Sequence, residues 1–332
     1  MRKSMSRSAV FCGICAVFLL FAGLVAGPCD AKTRFVSIGT GGTGGVYYPY
    51  GGGVAEIWNK YVDGVKAVAE VTGASVENTR LCHKGETLFG AIMSDVAYQA
   101  YHGVGKFDGQ PQKIKGMFVM YPNVFHMVAL KDEGIDNVTG AKGKNVSVGA
   151  PASGTEFMAQ LVLEEALNVP YSSFDVSRLS FTESANALKD GTIDVGIWAV
   201  APPTSSIMDL ATTHNVEVVP FTQEQIQKVT EKFPYYSAYS LPAETYRGQE
   251  KEVLTPSVWN TFICNADIDE ELVYKLTKAV FENQEDLVKI HPFAKNTTPE
   301  NAIQHSVIPL HPGAIKYLKE KGLTIPDKLI AE

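Results

Sequence analysis

The stretch Arg34-Phe-Val-Ser-Ile-Gly-Thr-Gly-Gly-Thr-Gly-Gly-Val-Tyr-Tyr-Pro-Tyr-Gly-Gly-Gly-Val-Ala-Glu-Ile-Trp-Asn59 limits what this chain can fold into more than any other. Phe35, Val36 and Ile38 make a short β-prone run. From Val54 onward the apolar residues Val54, Ile57, Trp58, Tyr61 and Val62 recur at the spacing of one helical face. Between strand and helix lie five glycines in seven residues, Gly39, Gly41, Gly42, Gly44 and Gly45. They free the backbone for φ > 0 and leave its N–H groups unscreened by any Cβ. Pro49 suits an early helical position, where its missing N–H costs nothing, so the free donors of the first turn face back toward the loop. Strand, open loop and helix start together make an anion site out of main-chain groups.

Other readings of the loop are weaker. Gly39-x-Gly41-x-x-Gly44 matches the dinucleotide pattern. The acidic residue that should end the second strand is missing from that reading, because Glu70 lies inside Lys66-Ala-Val-Ala-Glu-Val-Thr72. Tyr47 and Tyr48 also crowd the place where a pyrophosphate needs bare backbone; they suit a small ligand walled in by rings. No Lys-Ser/Thr follows Gly44, which excludes a P-loop. A simple chain reversal needs fewer glycines.

Residues 1–31 set Arg2, Lys3 and Arg7 before an apolar run from Ala9 to Ala26 and then Cys29-Asp-Ala31. This is the layout of a secretory signal peptide cleaved after Ala31. An uncleaved anchor is the alternative, since about eighteen apolar residues just reach spanning length. Pro28 argues against lipidation at Cys29. Without residues 1–31 the chain carries 26 Lys+Arg against 35 Asp+Glu, a net charge of −9. That leaves no basic patch for nucleic acid and favours solubility in an aqueous compartment. Only Cys82 and Cys264 lie beyond Cys29, as a disulfide in an oxidising compartment or as two buried thiols. No CxxC pair remains for zinc, and no metal or other cofactor is expected.

About 300 exported residues suit two domains or two lobes. The α/β alternation continues with a strand near 66–72, a helix capped by Asn78 that ends near Gly85, a strand Leu88–Ile92 and a helix from Met93 to Tyr101. Ser94 or Asp95 is its N-cap, and this second helix start either faces an anion or is only a cap. Lys113–Leu130 reads as strands interrupted at Tyr121-Pro-Asn123, a crossing between lobes. Next come a strand from Gly143 to Gly149 and a helix opened by Ser153, Gly154 and Thr155, whose N–H groups and two hydroxyls are fit to grip a carboxylate, or to cap the helix. Glu183–Gly191 is a helix and Ile193–Ala199 a strand, with Trp198 either in the core or on the floor of a pocket. Residues 221–256 are turn-rich and aromatic and receive no assignment. Ser257–Cys264 is a second crossing, Asp269 through Leu287 one helix, and further helix lies within 299–318.

Four motifs then stand in order: Gly39-Thr-Gly-Gly-Thr-Gly-Gly-Val-Tyr-Tyr-Pro49, Ser94-Asp-Val-Ala-Tyr98, Gly143-Lys-Asn-Val-Ser-Val-Gly149 with Ser153-Gly-Thr155, and Pro309-Leu-His-Pro-Gly-Ala-Ile-Lys-Tyr317. Together they resemble the TAXI-type substrate receptors of TRAP transporters, from about residue 33 to the C-terminus. Met93 stands where that family often shows Gln. The resemblance implies an α/β, two-lobed type II periplasmic-binding-protein fold with two crossing hinge strands. Its lobes would be 32–122, 123–255 and a return to the first lobe over 256–332. It also implies a small carboxylate or amino-acid ligand, such as glutamate or 2-oxoglutarate, and a TRAP-type integral membrane permease as partner.

The residues expected around the ligand are Gly41, Gly42, Thr43, Gly44, Gly45, Tyr47, Tyr48, Ser94, Ser153, Gly154, Thr155 and Trp198. No catalytic residue is expected. The chain has no Gly-x-Ser-x-Gly elbow and no HExxH, and its seven histidines are scattered. Glu164-Glu165 and Glu270-Glu271 read as solvated helix faces. An exported enzyme is the remaining alternative.

Overall fold

The computed structural model describes residues 33–330. The expected signal peptide, 1–31, lies outside the described residues. Ten strands form a single sheet: β1 (Arg34–Gly39), β2 (Val65–Glu70), β3 (Phe89–Met93), β4 (Ile114–Leu130), β5 (Asn145–Ser147), β6 (Asp175–Ser177), β7 (Val195–Val200), β8 (Val216–Val218), β9 (Tyr236–Leu241) and β10 (Val253–Asn265). Their order is β2-β1-β3-β10-β4-β7-β5-β6, with β8 on β4 and β9 on β10.

The sheet has two halves built alike. β1, β2 and β3 are parallel and joined through helices, as are β5, β6 and β7. All of β3 is buried, the near-continuous apolar run expected of a strand covered on both faces. The two long strands belong to both halves. β10 pairs with β3 through Asn260–Cys264 and with β9 through Val253–Val258. β4 pairs with β7 through 124–129 and with the far end of β10 through 114–119. In the first half Trp58 anchors the core, edge-on to Phe89 at 4.8 Å and to Phe262 at 5.8 Å, with its indole N–H on the Leu276 carbonyl at 3.1 Å.

Several local expectations change. Pro122 does not break β4, which runs straight through it. The residue sits where the β4–β10 ladder shifts register between Trp259 and Thr261, and a bulge tolerates a missing donor. The carbonyls beside it are met by side chains, Tyr121 O by Asn260 Nδ2 at 2.7 Å and Met120 O by Thr297 Oγ1 at 2.9 Å. Asn78 caps nothing: it is buried inside the helix Ser75–Lys84, where its Nδ2 donates to Thr40 O at 2.7 Å and to Ala91 O at 2.9 Å. A Cβ on Gly39 would stand 2.6 Å from Asn78 Oδ1, so this glycine makes room for that staple. Glu70 ends β2 after all, with its carbonyl accepting from Thr40 N and Oγ1.

The helix expected over 269–287 is two, Glu270–Glu282 and Gln284–Ile290, parted at Asn283, whose side chain turns back to the Ala279 carbonyl at 2.8 Å. The unassigned stretch holds the helix Gln223–Lys232, opened by a Thr222–Gln225 capping box, and β9.

Among the described residues no helix is long and apolar enough to cross a membrane. Cys82 and Cys264 are free thiols, both fully buried, and burial pushes both well above the usual thiol range. Neither is expected to react with iodoacetamide in the native protein, and both should react after denaturation. Mass spectrometry of the labelled peptides checks this, and native-state labelling at either position would contradict the burial.

Candidate ligand-binding site

The loops after β1, β2, β5 and β6, with the end of β7, enclose a cavity of about 380 Å³. From the first half of the sheet come Gly41, Gly42, Thr43, Gly44, Gly45, Val46, Tyr47, the turn Val71–Ser75 and Met93. From the second come Ala150, Ser153, Gly154, Thr155, Ser180, Phe181, Thr182, Ala199 and Val200, while Asn123 reaches in from β4 where the long strands cross. None of these residues is charged.

Four helices begin at the cavity wall: Tyr47–Tyr61, Ser75–Lys84, Gly154–Ala159 and Phe181–Lys189. The first has neither a side-chain cap nor an acidic residue in its first turn, and the second follows Ala74 at φ 73° without a side-chain cap. The leading N–H groups of the first are therefore not spent on capping side chains, and its dipole adds positive potential; before the second, Gly73 N–H goes to Glu77 Oε2 at 2.5 Å and Ala74 N–H to Thr72 Oγ1 at 3.1 Å. The other two are capped. Ser153 Oγ accepts from Glu156 N–H at 3.1 Å, and Ser180 forms a capping box with Glu183. The Thr155 hydroxyl accepts from Ala199 N–H at 3.3 Å and keeps its own proton to donate.

The two halves meet around the cavity. The Gly44 carbonyl accepts from Thr204 Oγ1 at 3.1 Å and Ser205 Oγ at 3.3 Å, and Val76 N–H donates to Ala152 O at 3.2 Å. Two glycines permit the approach. A Cβ on Gly44 would lie 2.5 Å from Thr182 Oγ1, and one on Gly154 would lie 2.5 Å from both Met93 Sδ and Ser75 Oγ.

Tyr47 presents its ring to the cavity while its hydroxyl donates to Asn260 Oδ1 at 2.5 Å. Burial drives its pKa up, so the phenol stays protonated. Tyr48 is 37% exposed and stands outside the wall. Ser94 is buried behind Met93, its hydroxyl paired with Thr261 Oγ1 at 3.0 Å, and neither it nor Asp95 caps the helix Ser94–His102. Asp95 instead accepts from Val96 N–H and from the Tyr236 hydroxyl, both at 2.7 Å, and burial pushes its carboxyl up to about 7. Trp198 also lies off the wall: its ring is fully buried 6.0 Å from that of Phe181, and its N–H donates to Ser206 Oγ at 3.1 Å. Arg178 is held by Glu156 at 2.6 Å and Arg80 lies over the Phe107 ring, so neither guanidinium lines the cavity.

Sequence reasoning passed over Thr72–Ala74, Asn123, Phe181 and Thr182 as wall residues. The first had a usable signal, since Thr72-Gly-Ala-Ser75 repeats in short form the strand, glycine and helix-start grammar of residues 34–59. Nothing in the sequence marked Asn123, whose position depends on how two distant strands cross.

A family model described as the NMT1-like family matches residues 38–322. Among solved structures the chain is similar to MatC from Rhodopseudomonas palustris with bound malate, at a TM-score of 0.53 and 14% identity over 86% of this chain and 97% of that one. It is also similar to a protein of Bordetella bronchiseptica RB50, at a TM-score of 0.52 and 15% identity over 90% of this chain and 91% of that one. The periplasmic aliphatic sulphonate binding protein SsuA from Escherichia coli matches at a TM-score of 0.45 and 10% identity over 87% and 90%. The fold is the two-lobed α/β fold of periplasmic binding proteins.

Proposed function

This chain belongs to the NMT1-like family, a family of periplasmic solute-binding proteins, and from that premise we propose that it captures a small carboxylate between its lobes and delivers it to a membrane permease. The carrying observation is the convergence of helix starts, two of them without side-chain caps, on a cavity with no acidic side chain in its wall. The motifs shared with TAXI-type receptors support a TRAP-type permease as the partner and glutamate or 2-oxoglutarate among the first ligands to try. The first lobe comprises 32–122 and the returning segment 256–332, the second 123–255, exported behind a cleaved signal over 1–31. They close as a hinge about the strands β4 and β10.

With a net charge of −9 after residue 31, bulk electrostatics repels an anion, so attraction is local. It comes from the N–H groups of Gly41–Gly45 and from Ser153, Gly154 and Thr155, with Tyr47 as a ring wall. A hydrogen bond to a charged group contributes roughly 1.5–3 kcal/mol and a helix start about 0.3–1 kcal/mol. Three or four such bonds reach about −8 kcal/mol, a micromolar complex, before ordering costs. A thermal-shift screen of dicarboxylates, 2-oxo acids and amino acids finds the ligand, and uptake by cells with permease alone or with permease and receptor tests delivery. Equal uptake would sink the transport role.

Thr155→Val keeps the shape of the wall and deletes the hydroxyl, both its free proton and the acceptor for Ala199 N–H. Affinity for the best carboxylate of the screen is expected to fall about tenfold. Calorimetry measures it, and an unchanged affinity would place the carboxylate away from Thr155.

A further inference from the structure

Asn123 lines the cavity and is 3% exposed. Its Nδ2 donates to the Ala199 carbonyl at 2.9 Å. A carbonyl can only accept, so this bond fixes which way the amide faces and leaves Oδ1 as the other atom. Oδ1 is buried without a hydrogen-bond partner. An orphaned acceptor of this kind carries the full cost of losing water, and a donor brought by a ligand recovers it.

The rest of the wall restricts what else that ligand can carry. No Lys or Arg is present to neutralise a second carboxylate, and no Asp or Glu to pair with an ammonium group. Asp95, the buried acid of this region, is outside the wall and engaged with Tyr236 and Val96. Three helices of nine or more residues, Tyr47–Tyr61, Ser75–Lys84 and Phe181–Lys189, aim their positive ends at the cavity, which accommodates one negative charge and opposes a positive one. Val46, Val71, Met93, Phe181 and Val200 offer an apolar surface to the remainder.

Resting on the carboxylate reading above and narrowing it away from glutamate and 2-oxoglutarate, we infer that the ligand is a singly charged carboxylate with an apolar body and an uncharged donor, a hydroxyl or amide N–H, received by Asn123 Oδ1. Asn123 is the specificity-determining residue of the site.

The test is calorimetry of the intact exported chain with compounds that differ only at C2 of 4-methylpentanoate. The substituents are hydroxyl (2-hydroxy-4-methylpentanoate), hydrogen, oxo, ammonium (leucine) and a second carboxylate (isobutylmalonate). The hydroxy acid is expected to bind about tenfold more tightly than the unsubstituted and oxo acids, and leucine and the diacid about a hundredfold more weakly than the hydroxy acid. In Asn123→Leu the hydroxy and unsubstituted acids should become equal. Because Asn123 also holds the Ala199 carbonyl, that variant is checked for cooperative unfolding, and the wild-type series stands without it. Tightest binding by leucine or the diacid overturns this inference and leaves a carboxylate receptor in place. Equal binding of hydroxy and unsubstituted acids by the wild type overturns the role of Asn123. Binding by none of these compounds overturns the carboxylate reading and this inference with it.

Discussion

Gly44→Val is expected to weaken ligand binding by about a hundredfold or more while leaving each lobe folded, a loss of roughly 2.8 kcal/mol. Gly44 is not among the glycines at positive φ, so valine meets no backbone strain there. The obstacle lies across the cleft. A Cβ would stand 2.5 Å from Thr182 Oγ1, 3.3 Å from Thr182 N and 3.5 Å from Ser206 Cβ, and the two further methyl groups of valine reach past them. Thr182 Oγ1 can rotate away, but the main-chain nitrogen cannot. The variant therefore holds the lobes apart, water stays in the cavity, and every hydrogen bond to the ligand's charge is weakened. Calorimetry with the best ligand of the screen reads the loss, and thermal unfolding shows whether the fold is intact. Gly52→Ala is the control, because a Cβ there has nothing within 4 Å. Wild-type affinity in Gly44→Val would mean that the loop and Thr182 do not meet in the bound state.

The second large effect is on stability as a function of pH and centres on Asp95. Its carboxyl is raised from 3.8 to about 7, chiefly by burial. A carboxyl whose folded pKa lies above its unfolded value contributes stability that is fully present below about 4 and lost as pH rises through about 7. The slope inside that window is about 1.4 kcal/mol per pH unit. Asp95→Asn imitates the protonated acid and can place its amide N–H on the Tyr236 oxygen. The variant should therefore gain on the wild type by about 3 kcal/mol between pH 5 and pH 8.

The difference between the two proteins is the quantity to measure, since His126 acts in the opposite sense. Burial lowers its pKa from 6.5 to about 4, so its contribution is lost as pH falls through that range in both proteins. Urea denaturation at a series of pH values gives the difference directly. A flat line would mean that the hydrogen bonds from Tyr236 and Val96 keep Asp95 ionised throughout.

Much of this architecture was legible because its signals are local. The loop between β1 and the helix Tyr47–Tyr61 announces itself through glycines that nothing but a close approach requires, and Ser153-Gly-Thr155 stands before its helix in plain view. What the sequence hid depends on distant partners. Asn78 reads as a cap because caps are short polar residues before apolar ones; its real work is to tie together the carbonyls of Thr40 and Ala91, which only the folded sheet brings near. Pro122 reads as a strand breaker because the bulge that tolerates it is made by β10, more than a hundred residues on. Trp198 could be read as core or cavity floor, and the choice turned on Phe181 covering it and Ser206 receiving its N–H. Asn123 gave no sign, since an unpaired oxygen is a property of surroundings and not of a residue type.

The place of β10 in the sheet also governs the order in which the molecule can be assembled. β3 is finished early in the chain, yet its neighbour on one side is β10, where Ile92 pairs with Thr261. As synthesis proceeds from the N-terminus, the strand that stands between β3 and β4 is missing until residue 265 has been made, and β1, β2 and β3 remain a sheet fragment with an open edge. Closing so long a loop costs entropy before any contact returns it, which makes folding slow. Under the export proposed above, that delay keeps the chain pliable until its last third has been delivered.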